Sequence, residues 1–198
     1  MPVAFAQSET SKNLMRAFAG ESQARNRYTF SADVAKKQSL HAVETVFKFT
    51  ADQELAHAKV FYDYLKPMLG ETIHVDGGYP VDQQEGVIEL LRAAQHNEYE
   101  EHDDVYSHFA DIAQEENFVE IANNFRMIAQ IEKFHGDRFG QFADWMQQNT
   151  LFKEAQETEW MCLNCGRIHK GTSAPEICPV CKHNQGYFIR LAYAPYQK

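Results

Sequence analysis

The chain has 198 residues, 44% of them apolar, enough for one packed domain of ordinary size and a small appendage. Its formal net charge of -9, with no Lys/Arg cluster against that sign, would repel phosphate backbones and acidic headgroups, so neither nucleic acid nor membrane is an expected partner. Met1 to Ser8 carries no basic leader or long apolar stretch, and a soluble cytoplasmic protein is expected.

Four long segments repeat apolar residues at gaps of three and four, which predicts amphipathic helices. The first runs from about Ser8 to Lys37 through Leu14, Phe18, Ala24 and Tyr28, and the second from about Leu40 to Met68 through Val43, Phe47, Phe61 and Leu65. The third spans about Gln83 to Gln114 through Val87, Leu91, Ala94, Val105 and Ile112, and the fourth about Asn117 to Gln148 through Ile121, Phe125, Ile128, Phe139 and Phe142. Short connections at 37–39 and 115–116 imply two antiparallel hairpins, joined by a long irregular crossover from Leu69 to Asp82 that contains Gly70, Gly77, Gly78 and Pro80. The expected architecture is therefore an all-α four-helix bundle with one long crossover over residues 1–148. A polar linker over 149–158 and a small β-rich module over 159–198 complete it.

Polar residues interrupt the apolar stripes at mid-helix. Continuing the three-four rhythm puts Glu21 inside the first helix, Glu54 and His57 inside the second, Glu98 and Glu101 inside the third, and Glu132 and His135 inside the fourth. A buried unpaired carboxylate costs several kcal/mol, so such a set would exceed a folding stability of about 5–15 kcal/mol unless cations sit among it. Apart from Arg25 beside Glu21, no basic residue falls on these stripes at matching depth. The spacing also repeats: 33 residues separate Glu21 from Glu54 and 34 separate Glu98 from Glu132, so each hairpin supplies a lone Glu and then a Glu-x-x-His, as duplicated halves would. Residues three apart share a helix face, so each Glu-x-x-His is expected to grip one metal while the lone carboxylates bridge the pair, as in carboxylate-bridged di-iron and di-manganese bundles. Carboxylate and imidazole donors suit Fe or Mn better than Cu. The carboxylates also carry more negative charge than two divalent ions neutralise, which would favour the ferric state or a shifting coordination.

Tyr28 and Tyr106 lie on inward stripes, where they would either fill the core or hydrogen-bond a ligating carboxylate. His41, His74, His96, His102, His108, His169 and His183 fall on polar faces or loops and are expected in solvent.

All four cysteines are late. Cys162-x-x-Cys165 and, twelve residues on, Cys178-x-x-Cys181 have the spacing of a tetrahedral four-thiolate metal site, with Gly166 letting the first knuckle turn and Pro179 stiffening the second. Zinc as a structural staple and iron as a redox centre both satisfy this pattern.

The run Trp160-Met161-Cys162-Leu163-Asn164-Cys165-Gly166, with Ala174-Pro175-Glu176-Ile177-Cys178-Pro179-Val180-Cys181, resembles the rubredoxin-type domain of rubrerythrins. Ala19-Gly20-Glu21-Ser22, Glu54-Leu55-Ala56-His57, Glu98-Tyr99-Glu100-Glu101 and Glu132-Lys133-Phe134-His135 resemble the ferritin-like bundle of the same family. The resemblance implies two irons in the bundle and one in the four-cysteine site, with reduction of hydrogen peroxide to water by electrons from an external donor of rubredoxin, ferredoxin or reductase type. It implies Glu21, Glu54, Glu98, Glu101, Glu132 and His135 as ligands, with His57 as an alternative that replaces Glu101 on reduction. It also implies a head-to-tail homodimer, and the crossover would permit hairpin exchange between subunits. Lys182 departs from the glycine usual after the fourth cysteine, so it must take a strained backbone angle or alter the knuckle. An iron-storage ferroxidase would use the same bundle without needing a thiolate iron, whereas a structural zinc protein would leave Glu54, His57, Glu132 and His135 without a purpose.

Overall fold

The computed structural model describes residues 3–195; residues 1–2 and 196–198, the ends of the two expected outer segments, lie outside the described residues. Helix α1, Glu9–Lys37, starts where Ser8 turns its hydroxyl onto the Ser11 amide at 3.0 Å. The Glu116 carboxylate accepts the amides of Glu9 and Thr10 at 2.9 and 2.8 Å, so three of the four orphan donors of that helix end are satisfied. Helix α2 covers His41–Tyr64 and ends before the expected Met68, because Pro67 lacks the amide that would continue it; Lys66–Met68 is a single tight turn.

The third predicted helix is the one that differs most. It begins at Val87 rather than Gln83 and divides into α3, Val87–Glu100, a π-helical turn at Glu101–Val105, and α4, Tyr106–Glu115. The extra residue in that wide turn rotates the helix beyond it, so Tyr106 is buried and Val105 only half-buried. Helix α5, Val119–Gln147, closes the bundle.

One device ends α1, α4 and α5. Ser39, Asn117 and Asn149 adopt left-handed φ of 60°, 69° and 56°. The next amide in each case reaches the carbonyl five residues back, Leu40 to Ala35 at 2.9 Å, Phe118 to Ala113 at 2.8 Å and Thr150 to Trp145 at 2.8 Å. Leu40 and Phe118 then enter the next helix with nearly identical backbone angles, so the repeated spacing of the two hairpins has a conformational counterpart.

Strand β1, Lys153–Cys162, occupies the second half of the expected linker and is the centre of an antiparallel sheet, with β2, Ile168–Ser173, on one side and β3, Phe188–Arg190, on the other. The module does not hang free. Leu151, Ile189 and Ala194 belong to the same apolar cluster as Phe47, Leu91, Phe139 and Phe142 at one end of the bundle. Arg190 fastens the joint: it donates to the carbonyls of Thr150, Leu151 and Lys153 at 2.6, 2.8 and 2.9 Å and to Glu154 at 2.6 Å, and lies against Trp145 and Trp160, 3.7 and 4.9 Å from their ring centres. Arg190→Met keeps the stem but orphans three carbonyls. It is expected to cost about 2–4 kcal/mol and to expose residues 148–153 to limited proteolysis.

Several histidines are less exposed than their sequence context implies. His74, His96 and His108 are in solvent, but His41, His102, His169 and His183 are half-buried. His41 stacks on Tyr187 at 3.8 Å, a contact between bundle and module that local polarity cannot reveal.

Candidate metal centres

The bundle interior is apolar at both ends and polar in the middle. One apolar cluster contains Leu14, Phe61, Tyr106 and Phe125, the other Phe47, Leu91, Phe139 and Phe142, and Glu21, Glu54, His57, Glu98, Glu132 and His135 are all buried with them. Their ligand atoms converge in two groups, each within 4.8 Å: Glu21, Glu54, His57 and Glu132, and Glu54, Glu98, Glu132 and His135.

Each imidazole occupies an equivalent place. His57 Nδ1 lies 3.0 Å from Glu132 Oε1, 3.3 Å from Glu54 Oε2 and 3.8 Å from Glu21 Oε2. His135 Nδ1 lies 2.8 Å from Glu132 Oε2, 3.0 Å from Glu54 Oε1 and 3.4 Å from Glu98 Oε2. Glu54 and Glu132 therefore turn one oxygen to each side, while Glu21 and Glu98 belong to one side each. The sequence pattern assigned the bridging place to the lone carboxylates, whereas here the carboxylates of the Glu-x-x-His motifs are the ones that face both groups and would be shared by two ions.

The tyrosines cross between halves. Tyr28 of the first hairpin donates to Glu98 Oε1 of the second at 2.5 Å, and Tyr106 of the second donates to Glu21 Oε1 of the first at 2.5 Å. Burial, then the facing carboxylates, holds both phenols protonated well above their ordinary range.

These residues fit two metal ions. Glu21 Oε2, Glu98 Oε2, both oxygens of Glu54 and Glu132, His57 Nδ1 and both ring nitrogens of His135 are buried without an aligned hydrogen bond. Such atoms are costly to leave bare, and the donor set of carboxylate and imidazole is that of a di-iron site. Without a cation the cluster distorts its own titration. Burial and the nearby Glu132 and Glu54 raise Glu21 far above the carboxylate range, and burial with Glu54 pushes Glu98 up to about 8. Burial opposes charge on the imidazoles, but the carboxylates win and lift His57 to about 9 and His135 to about 12.

Glu101 stands apart. The wide turn carries it out of both groups, half-buried on a cavity wall, where burial and then Glu98 keep its carboxyl raised. In this conformation His57 takes the place that the resemblance gives to either residue. Arg25, the one base that the sequence pattern set beside Glu21, is exposed. The cavity is about 320 Å³ and lies between α1, the wide turn and the crossover, with Tyr79 over it; Gly77, Gly78 and Pro80 around Tyr79 were the local signal for a loop but not for a roof.

In the module, Cys162 Sγ and Cys181 Sγ are 3.7 Å apart, as are Cys165 Sγ and Cys178 Sγ, and all four sulfurs converge. Tetrahedral bonds of about 2.3 Å require sulfur separations of about 3.8 Å, so the site fits a four-coordinate ion. The two knuckles match: the Gly166 amide donates to Cys162 O at 2.8 Å and the Lys182 amide to Cys178 O at 2.9 Å, with φ of 74° and 63°. The His183 amide brings the Cys181 thiol down to about 5, while burial pushes Cys162 up to about 12. Lys182 thus takes the strained angle without changing the knuckle. Lys182→Gly is expected to stabilise the loaded module by about 0.5–1 kcal/mol, the left-handed strain relieved exceeding the added entropy of the unfolded chain; a denaturation midpoint that falls would contradict this.

Residues 12–143 match the family described as Rubrerythrin, and residues 160–189 the rubrerythrin rubredoxin-like domain. A rubrerythrin of Clostridium perfringens is 41% identical over 182 residues, 91% of this chain and 93% of that one. Nigerythrin in its mixed-valence state superimposes with a TM-score of 0.62 at 26% identity, covering 93% of this chain and 90% of its own. A bacterioferritin of Desulfovibrio desulfuricans, TM-score 0.64, 20% identical and covering 72% of this chain and 82% of its own, shares the fold.

Proposed function

Because this chain belongs to the rubrerythrin family, an iron-binding oxidoreductase family, we propose that it is a non-haem iron peroxidase that reduces hydrogen peroxide to water. The observation that carries this reading is the pairing of a doubly shared carboxylate cluster with a four-thiolate site on one chain: with irons bound, the first would store the electrons a two-electron reduction needs and the second would refill it.

Glu21, Glu54, His57, Glu98, Glu132 and His135 would hold the two bundle irons, with Glu101 available in exchange for His57. Irons held there supply Lewis acidity and two electrons for cleavage of the O–O bond. The protein supplies the rest. Tyr28 and Tyr106 keep the Glu98 and Glu21 carboxylates oriented by their phenolic protons. Glu101 stands on the cavity wall outside both ligand groups, its carboxyl raised by burial, in place to pass a proton toward the oxygens that leave as water. The apolar clusters on either side exclude bulk water from the centre.

Electrons would come from a rubredoxin- or ferredoxin-type protein or its NAD(P)H-linked reductase and pass through the Cys162, Cys165, Cys178 and Cys181 iron. The module sits on the end of its own bundle, while His135 lies twelve residues before Gln147, about 18 Å down α5. That separation supports a head-to-tail homodimer in which one subunit's module serves the other's centre. Sedimentation analysis with intersubunit cross-linking tests the dimer. The activity is tested by mixing the fully reduced protein anaerobically with hydrogen peroxide in stopped flow: rapid oxidation with water as product supports the reading, and a reduced centre that reacts with oxygen but not with peroxide overturns it.

A further inference from the structure

Hydrogen peroxide is little larger than water, whose share of liquid volume is about 30 Å³, yet the cavity beside Glu101 measures about 320 Å³. Most of its wall is carbon. Ala17, Tyr79, Pro80, Val105 and Phe109 line it, Glu100, Asp104 and His108 add polar edges, and it also reaches Glu101 and Tyr106, whose hydroxyl meets Glu21. A chamber meant only for peroxide would need neither the size nor the apolar wall.

The roof over this chamber is fastened on both sides. Arg16 of α1 donates to the Asp76 carbonyl and carboxylate, each at 3.1 Å. Asp82 accepts from Arg27 of α1 and Asn97 of α3, each at 2.7 Å, and between these ties the Tyr79 hydroxyl donates to the Arg16 carbonyl at 3.1 Å. These ties hold the crossover over the space, which opens to solvent beside the exposed Glu100, Asp104 and His108. Gly20 also contributes: a Cβ there would touch Tyr79 at 3.7 Å, so a larger side chain would fill the chamber from the helix wall.

We propose that this cavity is a binding site for the alkyl group of small organic hydroperoxides, which makes them substrates alongside hydrogen peroxide. The inference rests on the peroxidase reading. The alkyl group lies against Tyr79, Val105 and Phe109, and the hydroperoxide end points to Glu101. The O–O bond breaks, two electrons from the reduced centre and two protons are taken up, and one alcohol and one water leave.

The test uses the iron-loaded full-length protein with tert-butyl hydroperoxide and hydrogen peroxide as alternative substrates, and a zinc-loaded preparation, which is redox-silent, with tert-butyl alcohol as a product probe. Gly20→Val and Val105→Phe narrow the chamber from opposite walls; their metal content and helical circular dichroism establish that they are folded. Because one methylene in an apolar pocket changes specificity by about tenfold or more, each folded variant is expected to lose at least about tenfold in kcat/KM for the organic substrate while that for hydrogen peroxide changes less than about twofold. In the zinc-loaded wild type, tert-butyl alcohol is expected to shift NMR resonances of Ala17, Tyr79, Val105 and Phe109, and the shifts are expected to vanish in the narrowed variants. Absence of those shifts, or equal losses for both substrates, overturns the proposal. Shifts at those residues in a protein that reduces neither hydroperoxide would uphold the pocket and reject the peroxidase reading instead.

Discussion

Glu132→Ala is expected to lose both bundle irons and keep the thiolate iron, so that metal analysis falls from three irons per chain to one. The reason is the sharing: Glu132 Oε1 faces His57 and Glu132 Oε2 faces His135, so one truncation removes a ligand atom from each group. Glu54→Ala should behave alike, whereas Glu21→Ala or Glu98→Ala removes an atom from one side only. A truncated ligand also leaves buried groups unpaired, and peroxide turnover should fall by at least about a thousandfold with the absorption of the four-cysteine iron unchanged. Retention of three irons by the Glu132 variant would mean that the bridging geometry is wrong.

Removing the metals from the intact protein is expected to invert the pH dependence of its stability. In the metal-free bundle His57 rises from 6.5 to about 9 and Glu98 from 4.5 to about 8, and Glu21, Glu101 and His135 are also raised. A raised group contributes stability that is complete below its unfolded pKa and is lost as pH climbs through its folded value. For His57 the window is 6.5 to about 9, and for Glu98 it is 4.5 to about 8. Glu54 runs the other way: burial would raise it, the His135 and His57 imidazoles outweigh burial, and its contribution is lost as pH falls below the usual carboxylate range. Above the usual carboxylate range the apo-protein should thus lose stability continuously as pH rises, and by pH 9 His57 alone should remove on the order of 3 kcal/mol, lowering Tm by about 5–10 °C. The loaded protein should show the opposite slope over the same range, because ligands must lose protons to hold metal. Thermal scans of chelator-treated and loaded protein at pH 6 and 9 decide this, and parallel slopes would refute it.

Much of the bundle was legible because burial imposes a period on the sequence. Glu54, His57, Glu132 and His135 stand out only because Val43, Phe47, Phe61, Phe125, Phe139 and Phe142 set the rhythm they interrupt. The crossover was equally plain in its glycines and proline. The wide turn at Glu101–Val105 was not, since regular periodicity assumes the turn it is meant to test. A trace existed: Tyr28 comes seven residues after Glu21, but Tyr106 comes eight after Glu98, and one extra residue must be absorbed somewhere between. The identity of the bridging carboxylates depends on the depth and rotation of α2 against α5, which no single helix encodes. Arg190 was hidden for a similar reason. At the end of a three-residue strand it reads as a surface base, and its partners are carbonyls and indole faces contributed by distant segments.

The crossed tyrosines imply something about how the molecule is put together. Each hairpin carries a donor whose acceptor it lacks, and an acceptor whose donor it lacks, so neither is a finished object in isolation. Two identical copies would complete one another in the same way as these two diverged ones do. Half of this bundle, meeting its twin, would close the same circuit.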